Sequence, residues 1–186
     1  MRRTLTAIGL ALTVLTSGCA GQNYPTDLFR AQANAPYQLG SGDRLRIIVF
    51  GQDALSNSYS VSGAGAVSLP LAGDVRVGGL TTTQAERLIE TRLRAGFLRE
   101  PHVSVEVEAF RPFFILGEVT LPGQYPFVNG MTAQKAIAIA GGYTPRGFQG
   151  SVDVTRSVNG APVTGTVPLT FPIRPGDTLT VEERFF

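Results

Sequence analysis

Few side chains in this 186-residue chain can do chemistry, and their types and spacing decide which chemistry that would be. Hydrolysis, acyl transfer and metal-assisted reactions need an acid, a base, a nucleophile or metal ligands within reach of one another. The chain has one histidine, His102, one cysteine, Cys19, and one lysine, Lys135. A lone histidine directly after Pro101 reads as a turn or surface residue. With no second histidine and no other thiol, neither a nucleophilic triad nor a zinc site can be built around it. A serine with a lysine base would have to use Lys135, which reads as solvent-exposed on a short helix. Glu106 and Glu108 share one strand face, and paired carboxylates can do acid–base work on sugars. The other face of that strand is all valine, so the pair reads as an ordinary solvated face. Asp43 and Asp177 each follow a glycine in a turn, where aspartate accepts backbone N–H bonds. "SGAGAVS" lacks the Lys-Ser/Thr and helix start of a phosphate loop. Gly141-Gly142 follow a helix and so present the wrong dipole end to an anion. The chain therefore reads as non-enzymatic, with no catalytic residue, cofactor or metal site.

Charge narrows the partners further. The chain holds 16 Lys+Arg and 14 Asp+Glu, but Arg2 and Arg3 lie at the extreme N-terminus. Without them the charges balance, which leaves no electrostatic footprint for nucleic acid. No basic run is present to bind acidic lipid.

Arg2 and Arg3 instead begin an export signal. They are followed by an apolar run from Ala7 to Leu15, the small residues "TSG", and Cys19. The run is shorter than the about 20 residues of a membrane-spanning helix. A buried N-terminal helix would waste both the cationic start and the small-residue gate. "LTSGC" resembles the bacterial lipobox, whose cysteine becomes the first mature residue and carries lipid. Ser17 and Gly18 fit that pattern; Thr16 departs from it, because an aliphatic residue is usual there. A twin-arginine signal is the rival, although "RRTLTA" matches little of it beyond the arginines. The expectation is a signal peptide over 1–18, lipid attachment at Cys19 and a tether over 19–36. One acyl chain binds a membrane reversibly at about 0.8 kcal/mol per buried methylene. The three chains implied by the lipoprotein resemblance would hold firmly. Ala20 after the cysteine, by resemblance to Gram-negative lipoproteins, implies the outer membrane, with the body of the chain in the periplasm.

Behind this leader, 22 glycines and 12 prolines argue for many turns and short strands. Leu45, Ile47 and Val49 alternate as in a half-buried strand entered by a Gly-Asp turn. "SYSVSGAGAVSLPLAGDVRVGG" gives short strands, with "SGAGA" expected as a hairpin connection and "AGDV" as a second turn. "TTTQAERLIETRLRAG" puts Ala85, Leu88, Ile89 and Leu93 on one helical face. Either Thr83 with Glu86 or Thr81 with Gln84 can form its capping box. Glu90 precedes Arg94 by four, the favourable order for a pair on a helix. In "PHVSVEVEAF", Val103, Val105 and Val107 point one way and Ser104, Glu106 and Glu108 the other.

From Pro112 the texture changes. "FFILGEV" reads as a strand and "TLPGQYPF" as a turn. "MTAQKAIAIAGGY" reads as a short helix capped by Thr132, and Asn159-Gly160 as the turn of a hairpin. "SGDRLRIIVF" echoes "PGDTLTVEERFF", and "GLTTTQAERLIE" echoes "GMTAQKAIAIA". The fold class is therefore α+β, with two small domains over 37–111 and 112–186.

In this order the segments resemble the outer-membrane polysaccharide export family. Its first domain is matched by "YQLGSGDRLRIIVFG", "VSLPLAGDVRVGGLTTTQAERLI" and "PHVSVEVEAF". A soluble-ligand-binding β-grasp (SLBB) module is matched by "ILGEVTLPGQYPF", "GMTAQKAIAIAGGY" and "RPGDTLTV". The resemblance implies a homo-oligomeric periplasmic ring that conducts capsular polysaccharide or exopolysaccharide and works with an inner-membrane co-polymerase. Unlike longer members, this sequence has one β-grasp module and ends at "EERFF" without a C-terminal amphipathic helix. The expectation is that lipid holds it to the outer membrane, and that either a separate partner makes the outer pore or the ring alone does not complete the channel. Ser104, Glu106 and Glu108, with the loop Ser62–Ala66, are candidates for a lumen or glycan-facing surface. The alternatives are a monomeric periplasmic lipoprotein that binds glycan or a small ligand through the β-grasp unit, and an enzyme on cell-wall sugars.

Overall fold

The computed structural model describes Phe29 and residues 35–158 and 160–184. The signal segment, Cys19 and Asn159 lie outside the described residues. The first domain holds strands β1 (Arg44–Val49), β2 (Asn57–Ser60), β3 (Ala66–Leu69), β4 (Gly73–Arg76) and β5 (Val103–Ala109), with helix α1 (Thr82–Arg94). The second holds β6 (Phe113–Gly117), β7 (Gly123–Tyr125), helix α2 (Ala133–Ile139), β8 (Ser151–Val158), β9 (Ala161–Pro168) and β10 (Thr178–Val181). Two separate apolar clusters give each domain its own core. The chain is an α+β protein of two domains.

In the first domain, β1 lies between β2 and β5 in an antiparallel sheet. Leu45, Ile47 and Val49 are buried, while Arg44 and Arg46 face solvent. Ile47 and Val49 stand opposite Val105 and Val103, so the two apolar faces form one layer. Ala85, Ile89 and Leu93 of α1 pack into this core. Of the two candidate capping boxes, Thr81 with Gln84 forms.

Two local expectations are corrected. The loop "SGAGA" does not join a hairpin, because β2 pairs with β1 while β3 pairs with β4. It carries the chain from one sheet to the next through a tight turn, in which Ser62 N–H donates to the Ala66 carbonyl at 2.8 Å. Strand alternation alone does not say which neighbour a strand takes. Glu90 turns away from the helix surface and accepts the Val103 N–H at 3.0 Å, and Glu86 accepts that of Val105 at 3.0 Å. β5 is the sheet's edge, and its outward amides would otherwise lack partners.

The second domain is one sheet in the order β7-β6-β10-β8-β9, with β6 and β10 parallel and the other pairs antiparallel. The last strand thus fills the centre of the sheet. Its close approach requires Gly117, with φ +84°, where a Cβ would stand 2.1 Å from the Val181 carbonyl oxygen. Thr132 caps α2 as expected, and Ala133, Ala136 and Ile137 are its buried face. Val158 pairs with Ala161 across the expected hairpin turn.

Phe29 departs from the reading of 19–36 as a tether. It is fully buried in the second domain's core, 6.2 Å from the Phe171 ring. A polar stretch with two isolated aromatics carries no periodic signal, so this docking is invisible in the sequence.

Candidate functional site

The two Gly-Asp turns noted in the sequence are built alike and lie side by side. In 40–43, Asp43 N–H donates to the Gly40 carbonyl and Asp43 Oδ2 accepts the Gly40 N–H at 2.8 Å. In 174–177, Asp177 N–H donates to the Arg174 carbonyl and Asp177 Oδ2 accepts the Arg174 N–H at 2.7 Å. Gly42 and Gly176 hold φ of +92° and +86°, the left-handed conformation that the third position of such a turn needs. Each turn buries its aspartate completely or nearly so.

Each aspartate then takes an arginine. Asp177 receives Arg156 through Nε at 2.8 Å and Nη2 at 2.6 Å. This fork is buried, and the Arg156 guanidinium also lies over the Phe29 and Phe171 rings, at 5.2 and 5.7 Å. Arg156 Nη1 is buried with no acceptor. Asp43 receives the Arg111 backbone N–H at 2.8 Å and Arg111 Nη1 at 3.3 Å. Tyr37 Oη donates to Asp43 Oδ2 at 2.6 Å. Burial and this bond to a carboxylate push the Tyr37 phenol well above its ordinary pKa, so it stays a donor.

Arg111 links the two turns. Its Nε donates to the Pro175 carbonyl of the second domain at 3.2 Å, while Nη1 reaches Tyr37 and Asp43 of the first. Both turns leave room for it: a Cβ on Gly40 would fall 2.0 Å from Nη1, and one on Gly176 would fall 2.9 Å from Nε. Beside this joint lies a polar cavity of about 350 Å³, lined by Tyr37, Arg111, Arg156, Ser157, Arg174 and Asp177 among others. Burial and the neighbouring Arg156 charge lower the proton affinity of Arg174.

The other candidate residues lie elsewhere. Ser104 stands opposite Ile48 and Glu106 opposite Arg46 of β1, whereas the register shifts at Glu108, which is exposed and has no partner on β1. Residues 62–64 are exposed, as are His102 and Lys135, and Lys135 Nζ donates to the Gly130 carbonyl at 2.9 Å. Among the described residues, no group of three His, Cys, Asp or Glu side chains converges as a metal site. No described helix is long and apolar enough to cross a membrane. Tyr37, Arg111, Arg156 and Arg174 were missed as site residues. One signal for Arg156 was present: it holds the inward parity of "SVDVTRSV", after Val152 and Val154. A charge at a core position calls for a buried partner.

Comparison with known proteins gives this geometry its context. Residues 31–108 match the polysaccharide biosynthesis/export protein family, and residues 112–167 match the SLBB domain. The exopolysaccharide production protein ExoF of Rhizobium meliloti is 36% identical over 57% of this chain and 28% of its own length. The EPS I polysaccharide export outer membrane protein EpsA of Ralstonia solanacearum is 29% identical over 88% of this chain and 52% of its own. The polysialic acid transport protein KpsD of Escherichia coli is 25% identical over 60% of this chain and 20% of its own. The chain thus spans about half or less of the length of these curated relatives. With both domains matched in tandem, the chain belongs to the polysaccharide biosynthesis/export protein family and carries an SLBB domain.

Proposed function

We propose that this chain is a non-enzymatic subunit of an oligomeric periplasmic conduit for capsular polysaccharide or exopolysaccharide. In this reading Cys19 carries the lipid that anchors it to the outer membrane. An inner-membrane co-polymerase works with the conduit. The observation that carries the reading is the tandem itself: an export-family domain and an SLBB domain, in one chain that aligns over 88% of its length with a protein named for polysaccharide export at the outer membrane. The physics of such a role is compatible with the fold. A conduit needs a hydrated wall and self-complementary sides that close by heterologous contacts. The open face of β5 and β1, with Ser104, Glu106, Glu108 and Arg46, is a polar surface suited to face a sugar polymer.

The test is the mass of the full chain, extracted from the outer membrane in mild detergent and measured by native mass spectrometry. One large closed species is expected. A single-chain mass at all concentrations would overturn the conduit and leave a monomeric binder. Cys19→Ser should release the protein into the soluble periplasmic fraction with its fold retained; unchanged membrane fractionation would remove the anchor.

A further inference from the structure

The hairpin of β3 and β4 ends in a tip whose shape its own domain does not use. Ala72 N–H donates to the Pro70 carbonyl at 2.8 Å and closes a three-residue turn around Leu71. Leu71 holds φ +67°, the rare and strained hand of that turn. Every other described residue with a positive φ is a glycine. A bulky side chain in this conformation is an outlier, and such strain gathers at functional contacts. Leu71 is also 55% exposed, so the strain brings it little burial within its own domain. Pro70 beside it is exposed as well. The tip thus presents an apolar knob to solvent.

A matching hollow lies on the second domain. Val128, Met131, Ala138 and Ile139 line a cavity of about 410 Å³ along α2. Val128 and Ile139 are 62% and 49% exposed, so a single chain leaves this apolar wall open. One charged residue lines it, Lys135, whose Nζ donates to the Gly130 carbonyl. The charge next to the knob has the opposite sign. Asp74 is exposed three residues after Leu71 and pairs with Ser68 across the hairpin, while Arg76 stands two residues further from the tip.

We infer that the Pro70–Leu71 knob of one copy seats in the hollow lined by Val128 and Ile139 on the next copy, with Asp74 against Lys135 at its rim. A second copy is the occupant because its tip supplies both things the hollow calls for, an apolar side chain and a carboxylate. The contact joins two different surfaces, so it is heterologous and repeats from copy to copy. Leucine burial supplies affinity, and the charge pair at the rim fixes register. The inference rests on the oligomeric reading above and names a contact within it.

The test is native mass spectrometry of the full chain in mild detergent over a concentration series, with urea unfolding alongside. Leu71→Gly should raise the concentration needed for assembly by about ten- to hundredfold, the scale of one leucine left unburied. It should leave the first domain's unfolding midpoint unchanged or raised, because glycine takes a positive φ without strain. Asp74→Lys and Lys135→Asp, both at exposed sites, should each weaken assembly by about two- to fivefold. Mixed in equal amounts, these two variants should recover assembly in species that hold both chains in equal number, since every knob then meets an opposite charge. Wild-type assembly left unchanged by all three variants would overturn the contact and spare the oligomer. A Leu71→Gly chain that unfolds earlier yet assembles normally would also overturn it, leaving a leucine that serves only its own fold. Two impaired charge variants that fail to recover on mixing would give the hollow to another segment or another partner. A wild-type chain that stays single at all concentrations would remove this contact and the oligomeric reading together.

Discussion

Tyr37 is held as a proton donor to a buried carboxylate, and that has a consequence for stability at high pH. Its ordinary pKa is 10.0, and burial together with the Asp43 bond raises it in the folded chain. Above pH 10 the unfolded chain releases this proton while the folded chain keeps it. The unfolded state then binds fewer protons, so stability falls as pH rises from about 10 toward the folded value. Tyr59 and Tyr143 are also pushed up by burial and add to the same slope. Tyr37→Phe should lower stability at neutral pH by about 1–2 kcal/mol, for the lost bonds to Asp43 and Arg111. It should also flatten part of the loss between pH 10 and 11.5, read by urea unfolding at several pH values. An unchanged slope would show that Asp43 does not hold the phenol. The sequence announced both aspartates through their Gly-Asp turns, but not their partners. Arg111 is 68 positions from Asp43, and Arg156 is 21 from Asp177. Local turn chemistry carries no information across such distances.

Among the elements, α1 and β5 were the most legible, because each has a clean period over a long run. What the pattern did not disclose is that they are stitched together by hydrogen bonds as well as by packing. Glu86 and Glu90 are one helical turn apart, and the amides they accept, Val103 and Val105, are two strand residues apart. One turn of helix rises about 5.4 Å and two strand residues about 6.8 Å, so consecutive carboxylates can meet consecutive outward amides. Each unsatisfied amide costs about 1–3 kcal/mol when shielded from water. Glu86→Ala with Glu90→Ala should therefore lower stability by about 2–3 kcal/mol and speed hydrogen exchange at both amides. The double glutamine variant, which keeps both acceptor oxygens, should stay close to wild type. If the glutamine variant falls as far as the alanine one, charge rather than edge capping is what the glutamates supply. The short strands β2, β3 and β4 were legible as strands but not in their pairing. Four-residue segments fit several registers equally, and here tertiary packing chose.

For the whole molecule, the sequence changes texture near Pro112, but it does not disclose what fixes the two domains to each other. The fixing elements are Arg111 between the two Gly-Asp turns, and an aromatic series from Tyr37 through Phe110 to Phe127, with centroids 4.9 and 5.5 Å apart. Phe29 adds a third tie, since a residue that precedes the first domain is buried in the second. A ring closes only when each subunit presents its two contact surfaces at a constant angle. If the chain assembles as proposed, a loosened joint should thus show in assembly before it shows in either fold. The Arg111 side chain is 29% exposed, so solvent screens its pairing with Asp43, and its loss should cost about 1 kcal/mol. That is small beside the stability of either core, and the bond to the Pro175 carbonyl is the part of it that couples the two. Arg111→Ala should therefore split a single calorimetric unfolding transition into two and broaden the mass distribution of the assembled chain. Phe29→Ala should instead lower only the second domain's transition, by about 3 kcal/mol as for other large-to-small core changes. If Arg111→Ala keeps one transition and one assembly mass, the guanidinium does not fix the domain angle, and the aromatic series must hold it alone.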